Sequence, residues 1–173
     1  MRPAGGVAAE LLALSAVLFS GQLLRPGLEF AAYLLLAEAL STYLTHCPAH
    51  YFVGKVLGIS FSSISIGKTS LARVLPARLA GSLRRLPVLT LATKKASLAS
   101  VSRRRVAAMY ASGTAASTGS AFVIAAAATA AEPWPYSGIA WAVALAYLAF
   151  DLVFSPRSGD IFRARRALRG SHV

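Results

Sequence analysis

Two of the three histidines in this chain of 173 residues, His46 and His50, lie four positions apart at the end of a long apolar run. On a helix, residues with this spacing share one face, with their Cβ atoms about 5–6 Å apart. Two neutral imidazoles so placed can bind one Zn²⁺. The spacing is equally compatible with two polar-tipped side chains that simply lie at a membrane surface. Cys47 lies about 100° around the helix from His46, so we do not expect it to be a further ligand.

The composition favours an integral membrane protein. The chain is 56% hydrophobic, has a mean hydropathy of +0.60 and is only 14% charged, which leaves too little polar surface for a soluble domain of this length. The net charge of +12 is typical of some nucleic-acid-binding proteins. Here, however, the basic residues fall between apolar segments and no recognition motif accompanies them, so we expect no nucleic-acid partner. The single cysteine excludes an internal disulfide.

Four apolar segments are close to the length of about 20 residues that a helix needs to cross a bilayer. They comprise residues 7–24, 28–56, 106–131 and 138–154. We therefore predict an all-α polytopic membrane protein with four transmembrane helices in a single membrane domain, residues 1–173. A cleaved signal peptide is not expected, since only Arg2 supplies charge before the first segment.

The segments between these helices are strongly basic. A long basic segment covers residues 57–105 and a basic tail covers residues 155–173. Within the former, the alternating residues 59–67 predict a short β-hairpin at the membrane surface. Residues 70–87 are compatible with an amphipathic helix in the interface or with a solvated basic loop held by anionic membrane lipid.

The distribution of charge predicts the orientation. If both termini are cytoplasmic, 17 of the 18 basic residues lie inside and only Arg25 lies outside. The histidine pair then lies at the cytoplasmic end of the second span, on the same side as the basic tail. Glu38, which is costly in the hydrocarbon region, should face the bundle interior or a water-filled cavity.

The segment HCPAHYFVGKVLGISFSSISIG, residues 46–67, resembles the metal motif of the site-2 proteases, which are intramembrane zinc metallopeptidases. That motif is His-Glu-x-x-His, followed by a small or aromatic residue, an apolar pair, a basic residue, Leu-Gly-Ile/Val and a strand that ends in Ser-Ile-Gly. The matching positions are His46, His50, Lys55, Leu57-Gly58-Ile59 and Ser65-Ile66-Gly67.

Two further elements of the family follow in the same order. SGTAAS, residues 112–117, is similar to its Ala-Gly-Pro-x-x-Asn element, with Gly113 kept and Ser117 in place of asparagine. FDLVFSPRSGD, residues 150–160, is similar to the Asn-Leu-x-Pro region that supplies a carboxylate ligand. The resemblance therefore implies one Zn²⁺ held by His46, His50 and Asp160, with Asp151 as the alternative third ligand. It extends over residues 28–161, although residues 70–105 have no detailed match.

The match also departs from the family at a catalytic position. Cys47 stands where the family has the glutamate that acts as general base. A thiol with an ordinary pKa near 8.5 and a shorter reach is a poor replacement. The resemblance thus implies a zinc-binding relative without peptidase activity, which binds transmembrane segments or partner proteins. Asp151 is the one other carboxylate that we expect near enough to act as a base.

Two alternative functions follow from the same residues. One is a structural or accessory membrane subunit without a metal, whose basic segments bind lipid or a larger membrane complex. The other is an active intramembrane metalloprotease in which Asp151 or Cys47 serves the chemistry. A phosphate loop at Gly67-Lys68-Thr69 is not expected, because Ser62 stands where that motif needs its first glycine. A di-iron histidine-box enzyme needs more histidines than this chain has.

Overall fold

The computed structural model describes residues 2–21, 27–67, 88–131 and 134–170. These ranges form six helices and two strands. In chain order they are α1 (Pro3–Ser20), α2 (Leu28–Val56), β1 (Phe61–Gly67), β2 (Val88–Thr93), α3 (Lys95–Ser100), α4 (Arg103–Ala131), α5 (Tyr136–Ser158) and α6 (Asp160–Arg169). The predicted, mostly helical architecture is confirmed. The interpretations offered for residues 70–87 lie outside the described residues.

Three of the helices are long and apolar enough to cross a membrane: α1, α4 and residues Tyr136–Arg157 of α5. This is consistent with an integral membrane protein. α2 has 29 residues and extends about 43 Å at 1.5 Å per residue. It does not meet the same criterion of hydropathy, and its second half carries threonine, tyrosine and histidine among the apolar residues.

Small side chains allow α4 to lie close to its neighbours. α4 packs against α2 more extensively than any other two elements pack together. Deeper in the bundle it also packs against α5, where alanines from both helices are fully or almost fully buried. Residues of this size permit a close approach of helix axes in a membrane bundle. This cluster comprises Leu34, Ala121, Ile124, Ala125, Ala128, Ala140 and Ala144.

A second buried cluster joins the sheet and α6 to the first turns of α4. It comprises Ile59, Phe61, Val106, Ala107, Met109, Tyr110, Ala164 and Ala167. α6 therefore packs against the first turns of α4, at the end of the bundle where α2 ends.

β1 pairs antiparallel with β2, with Ile64 opposite Leu91. The hairpin predicted within residues 59–67 is therefore a single strand there, and its partner is residues 88–93. The chain turns from α2 into β1 at Gly58, whose φ of +86° is a conformation that favours glycine. The Ile59 N–H then donates to the Gly54 carbonyl at 2.7 Å, which closes the end of the helix. β1 was predicted, whereas its partner β2 was not.

Two carboxyl groups are buried within the bundle. Glu38 is fully buried and Glu10 is 4% exposed. In the part of the chain that the structure describes, none of their carboxylate oxygens has a hydrogen-bond partner. Thr42 Oγ1 donates to the backbone carbonyl of Glu38, at 2.8 Å, and not to its carboxyl group. Glu38 therefore faces the interior, as predicted from the cost of exposing it to lipid.

Candidate metal centre

α2 brings the two histidines together. The helix continues through Pro48, so the spacing of four residues holds and both imidazoles lie on one face. Their ring centroids are 4.8 Å apart and the ring planes are nearly perpendicular. The two Nε2 atoms are 3.3 Å apart, so that both rings point the same nitrogen at one place.

Asp160, the first residue of α6, completes the group. Its Oδ2 lies 2.8 Å from His46 Nε2 and 3.1 Å from His50 Nε2. Across the described ranges, these three residues are the one cluster of at least three His, Cys, Asp or Glu side chains with ligand atoms that all lie within 4.8 Å of one another. The structure thus joins the three residues that the resemblance implied.

Hydrogen bonds to the other ring nitrogen orient both imidazoles. Ser117 Oγ donates its only proton to the Thr42 carbonyl, at 2.8 Å, and therefore accepts from His46 Nδ1, at 2.9 Å. The Met109 carbonyl can only accept, so His50 Nδ1 donates to it at 2.7 Å. These partners assign the proton of each neutral ring to Nδ1 and leave both Nε2 atoms as lone-pair donors to a metal.

Three acceptor atoms therefore face one another, with no proton between them when the imidazoles are neutral. Two changes relieve the repulsion among these atoms: protonation of an imidazole, which gives an ion pair with Asp160, or a bound metal cation. A tetrahedral ion with bonds of about 2.0–2.1 Å separates its ligand atoms by about 3.3–3.4 Å. The two Nε2 atoms are 3.3 Å apart, whereas Asp160 Oδ2 lies nearer to them, at the hydrogen-bond distances of 2.8 and 3.1 Å. The residues present fit a metal ion. Two imidazoles with one carboxylate serve both zinc and iron(II), so this group could hold either ion.

The charge of Asp160 suits a ligand. Burial raises the pKa of its carboxyl group, but when His46 and His50 are protonated their hydrogen bonds and charge outweigh burial and hold that pKa well below its usual range. The carboxylate is therefore ionised, which is the form that binds metal. Arg163 Nη1 donates to the second oxygen, Oδ1, at 3.4 Å, which turns Oδ2 towards the histidines.

The corner between α5 and α6 places Asp160. Ser155 is buried; its carbonyl accepts from the Gly159 N–H at 3.0 Å and its Oγ accepts from the Ile161 N–H at 3.2 Å. A serine oxygen at an N-terminal N–H of a helix is a capping interaction. Sequence reasoning missed the role of Ser155. The one available signal was Gly159, which separates an apolar from an amphipathic helical pattern.

A single stripe of α4 faces the histidines. It consists of Met109, Gly113 and Ser117, spaced four residues apart, and it runs antiparallel to α2. A Cβ atom built on Gly113 would overlap the imidazole of His50, with Cε1 only 2.5 Å away. Glycine is therefore required where α4 approaches this ring. The role of the Met109 carbonyl as an acceptor for His50 was not predicted, because every residue has a backbone carbonyl and its use does not depend on residue type.

Cys47 and Asp151 do not join the ligand group. Cys47 is buried, and its Sγ donates towards the Leu89 carbonyl of β2 at 3.4 Å. Asp151 is half-buried and accepts from Thr118 Oγ1. It interacts electrostatically with His46 and Asp160 but offers no ligand atom to the cluster. Of the two carboxylates considered from the sequence, the structure brings Asp160 to the histidines.

Comparisons of the chain with models of protein families, with curated proteins and with solved structures gave no match.

Ser117→Ala is expected to lower the affinity for Zn²⁺ by about 10- to 100-fold, the usual effect of removing a partner of a metal-binding histidine. The substitution deletes the acceptor that fixes the proton on His46 Nδ1. Competition with a fluorescent chelator measures the affinity. Ser120→Ala is the matched control, since that hydroxyl donates to the Ser117 carbonyl at 2.8 Å rather than to an imidazole. Equal affinity of the two variants would contradict the assigned role.

Proposed function

We propose that this chain is an integral membrane protein related to the site-2 proteases, which binds one zinc ion and holds transmembrane segments of other proteins without cleaving them. The observation that carries this proposal is the convergence of His46, His50 and Asp160. His50 and Asp160 are 110 residues apart in the sequence. In the structure, the Nε2 atoms of both histidines nonetheless face the buried carboxylate of Asp160. A resemblance in three short motifs predicted this same triad.

The proposed topology has four spans, α1, α2, α4 and α5, with both termini in the cytoplasm. The triad and its supports lie in the second half of α2, the first half of α4 and the corner after α5, which are one end of an antiparallel bundle. With this orientation, 17 of the 18 basic residues lie on the same side as the triad, as the positive-inside rule requires. The metal site then lies near the cytoplasmic face.

Zinc is the proposed ion because three protein ligands with one open position are its usual arrangement in catalytic sites. The side chain of His46 is 37% exposed, whereas those of His50 and Asp160 are 10% exposed. The open position therefore lies on the His46 side. When bound there, zinc supplies a Lewis acid that can polarise a carbonyl oxygen or a water molecule.

Loss of peptidase activity is proposed from the position of Cys47. The site-2 protease motif needs a carboxylate next to the first histidine, and here a thiol occupies that position and points at the carbonyl of Leu89 in β2. Asp151 interacts with the site through charge, while its oxygen is engaged by Thr118. With the thiol turned away from the triad and one Asp151 oxygen engaged by Thr118, we infer that a bound segment is retained intact.

The experiment is a combined cleavage and binding assay in lipid vesicles that contain Zn²⁺. Single-span peptides labelled at both ends are reconstituted with the wild-type protein and with the His46→Ala/His50→Ala variant. We expect energy transfer to report binding to the wild type, with full-length peptide recovered. Cleavage that depends on the histidines and disappears in Asp151→Asn would establish the active protease instead. Absence of both binding and cleavage would favour the accessory subunit.

A further inference from the structure

α6 carries both a proposed metal ligand and a group of arginines. Its first residue is the metal ligand Asp160, and its remaining turns carry Arg163, Arg165, Arg166 and Arg169. We propose that α6 and the first turn of α4 form a binding surface for anionic phospholipid headgroups, and that lipid bound there tightens the metal site. This inference rests on the proposed function, which places the site at a membrane face.

The outer surface of α6 has the composition of a helix in the headgroup layer. Ala164 and Ala167 are buried against α4, whereas Phe162 is 38% and Leu168 is 53% exposed. Arg165 and Arg169 are exposed beside these two apolar side chains. Apolar and cationic residues together on the free surface are typical of helices that lie in the plane of an interface.

A second group of cations meets this surface from α4. The helix begins with Arg103, Arg104 and Arg105, which are all exposed. The guanidinium of Arg103 lies against the end of α6, so that a Cβ atom on Gly170 would be 2.6 Å from its Cζ. Arg103 of α4 therefore lies beside the end of the arginine-rich α6, and Asp160 is the sole acidic residue of either helix.

The chemistry of this surface matches a phospholipid anion. Guanidinium groups bind phosphate and carboxylate oxygens in bidentate pairs. The cytoplasmic leaflet carries the anionic lipids and attracts basic segments close to the membrane. An array of arginines with apolar neighbours at that face is complementary to a headgroup that presents a phosphate above its acyl chains.

The same surface affects the metal site because α6 carries a ligand. The side chains of α6 that are buried against α4 are Ala164 and Ala167, and the two helices pack together about as extensively as α4 and α5 do. The cation of Arg163 adds a contact with the ring of Tyr110, at 6.0 Å. Repulsion among the like charges of the arginines opposes this packing. An anion that relieves the repulsion holds α6 in place, and with it Asp160.

The test measures Zn²⁺ affinity of the full chain in lipid nanodiscs, by competition with a fluorescent chelator. The discs contain phosphatidylcholine alone or phosphatidylcholine with phosphatidylserine. We expect affinity about 5- to 10-fold tighter with phosphatidylserine, near the lower end of ordinary coupling between sites. The gain should shrink as ionic strength rises, because salt screens these charges. It should also be lost in Arg165→Gln/Arg169→Gln.

Two variants serve as matched controls. Arg165→Lys/Arg169→Lys keeps the charge and should keep most of the gain. Lys94→Gln/Lys95→Gln removes two exposed charges at the start of α3 and should leave the gain unchanged. If the glutamine variant on α6 does not fold, the dependence of the wild-type gain on salt decides the question in its place.

The outcomes separate this inference from the proposed function. Equal Zn²⁺ affinity in both kinds of disc overturns the coupling and leaves the metal site in place. Absence of Zn²⁺ binding in both discs overturns the proposed function together with the coupling. An equal gain from inorganic phosphate added to phosphatidylcholine discs would overturn the assignment to lipid and identify a site for free anions.

Discussion

Asp160→Asn is expected to weaken Zn²⁺ binding by at least about 100-fold. Removal of a residue that only supports a metal ligand costs about 10- to 100-fold in affinity, and Asp160 is itself a proposed ligand. Oδ2 of Asp160 contacts both Nε2 atoms, at 2.8 and 3.1 Å, and provides the one negative charge of the triad. An amide of the same size retains the volume and removes that charge. Because the two imidazoles are neutral ligands, nothing else in the triad balances a divalent ion.

The control for this prediction is Asp151→Asn. Both carboxylates were candidates from the sequence, and they are nine positions apart. Asp151 accepts from Thr118 Oγ1, so its substitution should change the Zn²⁺ affinity by less than about 10-fold, through charge alone. Competition with a chelator measures both variants. A large loss in Asp151→Asn with wild-type affinity in Asp160→Asn would show that the ligands had been exchanged.

Gly113→Ala is expected to disturb both the fold and the metal site. The new methyl group would overlap the ring of His50, which the Met109 carbonyl holds in place through a hydrogen bond of 2.7 Å. The ring or the α4 backbone has to move. Inserting a group into a well-packed site costs about 1–3 kcal/mol in the free energy of unfolding, and displacement of the ligand should lower the Zn²⁺ affinity more than about 10-fold.

Gly119→Ala on the same helix separates this close contact from a general effect of removing glycine. A Cβ atom at Gly119 meets nothing within 4 Å. Alanine has the higher helix propensity by about 1 kcal/mol, so this variant should unfold no earlier than the wild type. Thermal unfolding in detergent compares the two variants, and chelator competition follows the metal. If Gly113→Ala binds Zn²⁺ as the wild type does, the proposed approach of α4 to His50 is wrong.

The parts of the fold that sequence reasoning predicted depend on local patterns. Apolar runs predicted the regions that form α1, α2, α4 and α5, and alternation predicted β1. β2 was missed because it lies in a basic stretch and its pairing with β1 comes from contacts distant in the sequence. The bounds also differ: the first apolar segment was expected at residues 7–24, and the helix is Pro3–Ser20.

For the metal site too, local sequence predicted some features, and the fold determined the others. The spacing of His46 and His50 is a local property and needed only a helix. The choice of Asp160 over Asp151 depended on resemblance, since residue type alone does not show which carboxylate reaches α2. Cys47 was expected to lie off the histidine face, and its Sγ does point at Leu89. Ser155 and the Met109 carbonyl act through the backbone geometry of α6 and α4, which the sequence pattern does not encode.

Metal analysis of the purified full chain tests the central claim most directly. Zinc, iron and other first-row metals are quantified per chain in the wild type and in His46→Ala/His50→Ala, both prepared in the same detergent. We expect one zinc per wild-type chain and none in the variant. Wild-type protein without metal after exposure to Zn²⁺, or equal zinc in both proteins, would contradict a zinc site at His46, His50 and Asp160. One iron in place of zinc would contradict the choice of metal and retain the site.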